Sequence, residues 1–522
     1  MAPQKNADIE LSPAQFFELR KKQIDELISE GYNPWPHKFT VTHTIPAFRT
    51  KFDACVDDQV VEDEMVSVAG RVVSVRASGN KLFFYTIQGD GVTLQVMADA
   101  TRHNEEESGI AFKALHSRIR RGDIVGFRGF GGRSRRGELS IFPVESRLLT
   151  PCFHMIPRVE QGVKDPETRC RKRFLDLMVN DWSRKNYVLR SRIVQMIREA
   201  LYSEDFLELE TNMMTSTVGG ASARPFETHH NDLDIPLFLR IATELPLKMA
   251  MVGGLDRVFE LGRNFRNEGI DLTHNPEFTS IEFYWAYADY NDTMAYCEKL
   301  VSDIVYAIHG TYEIEYQGNM LNFQPPFRRI DFIGGIEEAS GEKLPEDLYA
   351  PEAREALDAI CVKHNVECKE PRTVNRMLDK LSEHFCESQS LQPTFIIHHP
   401  RIMSPLAKTH RERGNQITER YELHIGGFEV LNAFTELNDP FIQRENFEAQ
   451  ARDKALGDDE ACDVDETFLE SIEHGLPPCS GVGIGIDRLT MLLTNSNNIR
   501  DVILFPTLAP RKDMEKQEVT EQ

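Results

Sequence analysis

Residues 265–278 read FRNEGIDLTHNPEF and lie between the apolar stretches DRVFELG and TSIEFYWAY. Side chains in a strand alternate faces with period two. Arg266 and Glu268 therefore point the same way. On the return strand Phe278, Ser280, Glu282 and Tyr284 share one face, while Ile281, Phe283 and Trp285 take the other. A guanidinium, two carboxylates, a phenol and a ring on one face make a poor core and suit a ligand better. A second hairpin, RYELHIGGFEVLNAFTELNDP, has Gly426-Gly427 as its two-residue turn. Counting back pairs 425 with 428, 424 with 429 and 422 with 431, which sets Glu422 and Glu429 on one face. Magnesium takes a couple of carboxylates completed by phosphates and water. The same acids also fit a hairpin that simply faces solvent. Asn432, Phe434 and Glu436 alternate onto the face opposite Glu429, so one site lined by all of them requires a bulge. Arg488 follows GVGIGID, where glycines permit close backbone approach. It is placed either to clamp a phosphate bidentately or as an ordinary helix-surface arginine. Neither a GxxxxGK[ST] loop nor a GxGxxG fingerprint is present, since Ile486 stands where the third glycine belongs. The adjacent pairs His229-His230 and His398-His399 point to opposite faces of a strand and argue against a metal site.

These residues sit in a chain of 522, too long for one core, so two or three domains are expected. Hydrophobic residues at 41% and charged ones at 27% describe an ordinary globular protein. The net charge of -23 argues against a general nucleic-acid binder. Nine cysteines with no CxxC pair fit a reducing compartment. No apolar leader or long apolar run is visible, and a cytosolic address is expected.

Residues 13–30 show helical spacing, with Phe16, Leu19, Ile24 and Leu27 on one side. From 65 to 150 the pattern becomes five short strands, VSVAGRVVSVRA, LFFYTIQ, VTLQVMA, DIVGFRGF and ELSIFPVESRLL. Five such strands suggest a small Greek-key barrel of the OB type. This segment carries thirteen Lys and Arg against eight Asp and Glu, unlike the whole chain. With KLFFY on a strand, it offers cations for phosphates and rings for bases. It also fits a basic loop over two core phenylalanines. A charged connector, 151–184, precedes a long amphipathic helix whose stripe is Leu189, Ile193, Met196, Ile197, Ala200 and Leu201. Residues 340–390 read as a charged helical stretch, and 511–522 as a disordered charged tail. Strands mixed with segregated helices indicate α+β.

Taken together, three segments resemble the signature motifs of class II aminoacyl-tRNA synthetases, nearest to the lysyl-specific family in its eukaryotic cytosolic form. FLELETNMM resembles motif 1, FRNEGIDLTHNPEF motif 2 and GVGIGIDRL motif 3, and RRGDI, GELSI, GGASARPF and ELNDP extend the similarity over roughly 65–510. The resemblance implies an α+β fold: a five-stranded OB-fold anticodon-binding barrel at 65–150 behind a helical extension at 1–64. A catalytic domain at 185–510, on a mostly antiparallel sheet flanked by helices, would carry the insertion near 340–390. It implies activation of L-lysine with ATP to an adenylate, and transfer to the 3′-OH of tRNA(Lys). Arg266 and Arg488 would be catalytic. ATP would meet Arg266, Asn267, Glu268, His274, Asn275, Phe278, Glu422, Leu423, Gly485 and Arg488. Lysine would meet Gly220, Glu244, Arg266, Glu282, Tyr284, Asn432, Phe434 and Glu436. Glu422 and Glu429 would bind Mg2+, and Arg76, Phe84, Gln95 and Glu138 would read the anticodon. A homodimer through the motif 1 helix is implied, with no membrane or DNA partner. Asn212 departs from the family, which usually has proline there.

Overall fold

The computed structural model describes residues 11–455 and 464–510. The tail at 511–522 lies outside them. The chain divides into two compact units, Met1–Arg184 and Lys185–Gln522.

In the first unit, helix Pro13–Ser29 starts on a capping box: the Ser12 hydroxyl accepts from Gln15 N–H, and the Gln15 side chain accepts from Ser12 N–H. Its inner face buries Phe16, Arg20, Ile24 and Leu27. A buried arginine needs a counter-charge. Arg20 Nη2 donates to both Asp123 oxygens, at 2.9 and 3.0 Å, and neither side chain is exposed. Five strands close into a barrel in the order Val60–Ala77, Leu82–Gly89, Val92–Asp99, Leu139–Thr150, Ile124–Arg133. All neighbours are antiparallel except the pair joined at Gln95–Ser140. The first strand is long enough to serve both neighbours, which closes the ring. All five expected strands are present. Of the KLFFY rings, however, Phe83 and Tyr85 are core, and only Phe84 faces outward. Period two makes that unavoidable.

The stretch 151–184 is more than a connector. Helices Pro166–Arg171 and Arg173–Val179 lie within it, and the long helix begins already at Asp181 and runs to Ser203. Asp176 organises this turn, accepting from Arg173, Ser183 and Asn180 at 2.6–2.7 Å.

The second unit is built on an eight-stranded sheet. Its order is Arg328–Asp331, Thr394–Ile397, Arg420–Ile425, Phe428–Thr435, Cys479–Gly485, Glu277–Ala286, Arg257–Phe265, Leu207–Glu208. Only the two edge pairs are parallel. One face packs on the long helix through Ile193, Ile197 and Leu201, and on helix Tyr290–His309 through Cys297, Val301 and Val305. Ile281, Phe283, Leu423, Leu431, Val482 and Ile484 supply the sheet's half of that core. With one face consumed by packing, the polar residues that alternate with these must line the other. The helical insertion has its own small core and spans Phe332–Ser340, Pro351–Lys363, Val374–Ser382 and a π-helical turn, Glu383–Glu387. Among the described residues the eight cysteines are all free, and no helix is long and apolar enough to cross a membrane.

Candidate active site

The open face of the sheet floors a cavity of about 570 Å³, a size suited to small-molecule ligands. The first hairpin, Arg257–Phe265 with Glu277–Ala286, pairs Glu260 with Glu282 and Gly262 with Ser280. Phe278, Ser280, Glu282 and Tyr284 therefore line the cavity together. Between the strands, the loop is knotted by Asp271, whose Oδ1 accepts from the N–H groups of Thr273 and His274 at 2.7 Å. Asn275 donates to Glu277 O at 2.6 Å, while its own buried Oδ1 has no partner among the described residues. The Arg266 guanidinium lies 5.1 Å from the Phe278 ring centroid, and Nε reaches only the Ile241 carbonyl, at 3.5 Å. No carboxylate among the described residues pairs with it, so its charge is available to an anion.

In the second hairpin both turn glycines have positive φ, +66° and +86°, as the tight turn requires. His424 pairs with Glu429 as the sequence implies. Glu422, however, pairs with Asn432 and not 431, because the register slips between Leu423 and His424 and leaves Val430 as an extra residue. This is the required bulge. It changes the parity, so Glu429, Asn432 and Phe434 all face the cavity with Glu422 and Arg420. Leu423, on the other face, is fully buried in the core, and its side chain does not line the cavity. Asn267 does not line it either; its N–H is spent on Arg224 O at 2.8 Å. Every other candidate in this unit does, Gly220, Glu268 and Gly485 among them.

GVGIG proves to be the greater part of the central strand Cys479–Gly485, and the next residue, Ile486, opens a helix. The strand's apolar residues fill the core and its glycines face the cavity. A Cβ on Gly481 would lie 2.2 Å from Glu436 Oε1 and 2.3 Å from the Tyr284 ring. The glycine is what allows those two side chains to meet over the floor. Arg488, in the first turn of helix Ile486–Leu493, donates to Glu429 O at 2.8 Å and lies 3.0 Å from His274 Nε2. That helix is pinned by Asp487, which accepts from Thr279 N–H at 2.7 Å and pairs with Arg190 at 2.5 Å.

At one end of the cavity three buried carboxylates converge. Glu282 accepts from Thr243 N–H at 3.0 Å and from Tyr284 Oη at 3.1 Å. Burial, and then neighbouring Glu244, push its carboxyl above the usual range. Glu244 accepts from Lys248 at 2.5 Å. Glu436 meets the same Lys248 through Oε2, while its buried Oε1 has no partner among the described residues. A buried carboxylate with idle acceptors is costly unless a ligand supplies donors. At the other end, Glu422 receives Arg420 Nη2 at 2.6 Å and lies 3.0 Å from His424 Nε2 and 3.4 Å from His399 Nε2. Burial opposes its ionisation, but His399 and Arg420, with His424, hold it well below the usual carboxylate range.

Residues 165–509 match the family of tRNA synthetases class II (D, K and N), and 66–147 match the OB-fold nucleic acid binding domain. The chain belongs to the class II tRNA synthetases. It is 48% identical to a lysine–tRNA ligase of Cladosporium cladosporioides, over 97% of this chain and 87% of that protein. It is 44% identical to a probable cytoplasmic lysine–tRNA ligase of Encephalitozoon cuniculi, over 97% and 99%. A lysine–tRNA ligase of Halalkalibacterium halodurans is 43% identical, over 96% and 98%. For a class II synthetase of this kind, the OB-fold's outer face is the second surface of interest. Arg76 pairs across strands with Phe84, and its guanidinium stands 4.6 Å from that ring. Gln95 donates to Ser140 Oγ at 2.8 Å, and Ser140 in turn donates to the carbonyl of the exposed Glu138.

Several cavity residues escape a reading by periodicity. Asp379 and Glu387 arrive from the helical insertion, and Asn264 from the first hairpin. Burial, only partly offset by His424, pushes the Glu387 carboxyl up to about 7. Arg420, two residues from Glu422 on the same strand, was within reach of the alternation rule.

Proposed function

We propose that this class II synthetase is a lysine–tRNA ligase that makes lysyl-adenylate and charges tRNA(Lys) at the 3′-OH. The observation that carries the reading is the group of three buried carboxylates, Glu244, Glu282 and Glu436, beside Tyr284 and Arg266 in one cavity. Ammonium groups satisfy such a pocket, and a neutral or acidic side chain leaves its polar atoms unpaired. A site for aspartate needs a cation free to meet it. Lys248 and Arg420 are already paired with glutamates, and in this reading Arg266 is committed to the substrate carboxylate and the α-phosphate.

In the first step the lysine carboxylate oxygen bonds to the α-phosphorus of ATP, and the bond to the pyrophosphate oxygen breaks. In the second, the terminal ribose 3′-OH attacks the lysyl carbonyl, and AMP leaves. The protein's task is placement and charge neutralisation. Arg266 holds the α-phosphate and the lysine carboxylate. Arg488 reaches the γ-phosphate, and Phe278 stacks on adenine. Glu268, His274 and Asn275 position the nucleotide, with contributions from Asn267 and from the backbone of Leu423 and Gly485. Gly220, Asn432 and Phe434 complete the lysine pocket. Glu422 and Glu429 would hold Mg2+. Both carboxylates line the cavity and supply the hard oxygens magnesium takes, Glu422 through lone pairs beyond those that meet Arg420 and the two histidines, and phosphates and water would complete the shell. When bound, it neutralises phosphate charge. A homodimer through the long helix and a cytoplasmic address belong to the same reading. The names of relatives support the address.

On the OB-fold face, Arg76, Phe84, Gln95 and Glu138 read the anticodon. Phe84→Ala is expected to weaken tRNA binding by about 1–3 kcal/mol, the worth of one stacked base, without changing tRNA-independent exchange. Filter binding of tRNA(Lys) at fixed salt measures it; unchanged affinity refutes the assignment.

The reading as a whole is tested by ATP–pyrophosphate exchange with magnesium against each of the twenty amino acids. Lysine alone should support exchange. Exchange with aspartate or asparagine overturns the pocket, and exchange with none favours a tRNA-binding protein without catalysis.

A further inference from the structure

Lys248 has no part in the reaction as described, and it does not line the cavity. Its side chain is entirely buried. It sits one helical turn after Glu244 in helix Glu244–Val252, so that Nζ meets that carboxylate at 2.5 Å. The same Nζ touches Glu436, which comes from the far end of the second hairpin, 188 residues later in the chain. The rings of Phe434 and Phe468 enclose it, at 5.5 and 5.9 Å. Both carboxylates it touches do line the cavity. One cation thus grips two of the three acids of the pocket from behind.

Lys408 acts on nearby Cys479 and donates to Asn438 Oδ1 at 2.7 Å. Burial pushes the Tyr284 phenol and the Cys479 thiol far up, so both are neutral. Arg420, which also influences Glu244, is balanced by Glu422. With all three acids ionised, three carboxylates against one ammonium leave two net negative charges. L-Lysine brings two ammonium groups, with its carboxylate left for Arg266. Resting on the lysine reading above, we propose that Lys248 is a positioning residue for substrate specificity: a counter-ion built into the wall. It opposes protonation of Glu244 and Glu436 and holds both in place while the pocket is empty, and so fits the pocket to an amino acid with two ammonium groups.

Buried acids crowded together take up protons unless a cation prevents it. Burial leaves the carboxyls of Glu244, Glu282 and Glu436 raised, Glu436 well above the usual range, and the ammonium of Lys248 limits the rise at Glu244 and Glu436. Without Lys248 the Glu244–Glu436 pair would share a proton, which incoming lysine must expel to the buffer. Affinity would then improve as pH rises, by at most about tenfold per unit for one proton released.

The test starts with the wild-type full-length protein. Calorimetry of L-lysine binding at pH 7, in buffers of different ionisation enthalpy, counts protons exchanged. The expectation is close to none for wild type and about one released for Lys248→Met. In ATP–pyrophosphate exchange, Lys248→Met should raise KM for lysine about 10- to 100-fold at pH 6.5, the scale of a weakened charge-assisted contact. That KM should fall toward pH 8, with KM for ATP within about twofold of wild type. The double variant Glu244→Gln/Lys248→Met, which removes the pair together, should restore a pH-independent KM for lysine. Release of about one proton by wild type overturns the proposal, even if no variant folds. So does a Lys248→Met enzyme whose KM values for lysine and ATP rise together with no pH dependence. Wild type that does not bind lysine at all refutes the lysine reading itself.

Discussion

Arg266→Ala is expected to lower lysine-dependent ATP–pyrophosphate exchange by on the order of 10³-fold, about 4 kcal/mol of transition-state stabilisation. The size follows from where the guanidinium stands. It opens the loop between the two strands of the first hairpin, its backbone N–H fixed on Pro276 O at 2.8 Å. Among the described residues it has no carboxylate partner, and its one hydrogen bond, to Ile241 O, is long at 3.5 Å. The protein has left this cation unneutralised in a cavity otherwise rich in glutamate. A pentacoordinate α-phosphate gains negative charge as the lysine carboxylate approaches, and a forked donor that meets both groups is strongest at that moment. Removing it should therefore act mainly on kcat. Arg266→Lys keeps the charge but not the fork, so it should recover only part of the loss. Because the side chain is half-exposed and weakly held, the thermal midpoint of Arg266→Ala should stay close to that of wild type. Exchange within tenfold of wild type would remove Arg266 from the chemistry.

The parts of this site that could be read from the sequence are those governed by local rules. Alternation alone separated Glu282 and Tyr284 from Ile281 and Phe283, and the sheet buries the second pair and opens the first pair to the cavity. A conflict of parity in the second hairpin was enough to require a bulge. The sequence could not say where, so Glu422 was set opposite 431 when it pairs with Asn432. GVGIG has so little strand propensity that its role in a central strand was hidden. Yet the same glycines clear the floor for Tyr284 and Glu436. Lys248 was invisible for a different reason. Four residues after a glutamate, it has the look of an exposed helix pair, and only the arrival of Glu436 from a distant hairpin shows it to be buried and doubly paired. His399 and His424 gain meaning in the same way, through a carboxylate they meet only in the folded sheet.

Glu436→Gln is expected to raise KM for lysine by about 10²-fold, at the upper end of what one charge-assisted hydrogen bond contributes, with KM for ATP changed by less than about twofold. Glutamine has the shape of glutamate and fills the same volume over Gly481, so no cavity opens and no ring shifts. What changes is charge and capacity. Glu436 meets Lys248 through Oε2, while its buried Oε1, over Gly481, has no partner among the described residues and is left for a ligand. The amide leaves one acceptor and presents an N–H₂ to a site built for an ammonium, turning one attractive contact into a repulsive one. Lys248 keeps Glu244 as its partner, so the wall retains a charge-balanced pair. The loss should therefore fall on substrate binding and leave folding intact. Glu429→Gln makes the contrast. It lies beside Arg488 at the nucleotide end and should disturb the magnesium and ATP dependence while leaving KM for lysine nearly unchanged. Steady-state exchange kinetics on the two variants, with lysine and ATP varied in turn, separates the ends of the cavity. If both variants moved the same constant, the division into a lysine end and a nucleotide end would be wrong.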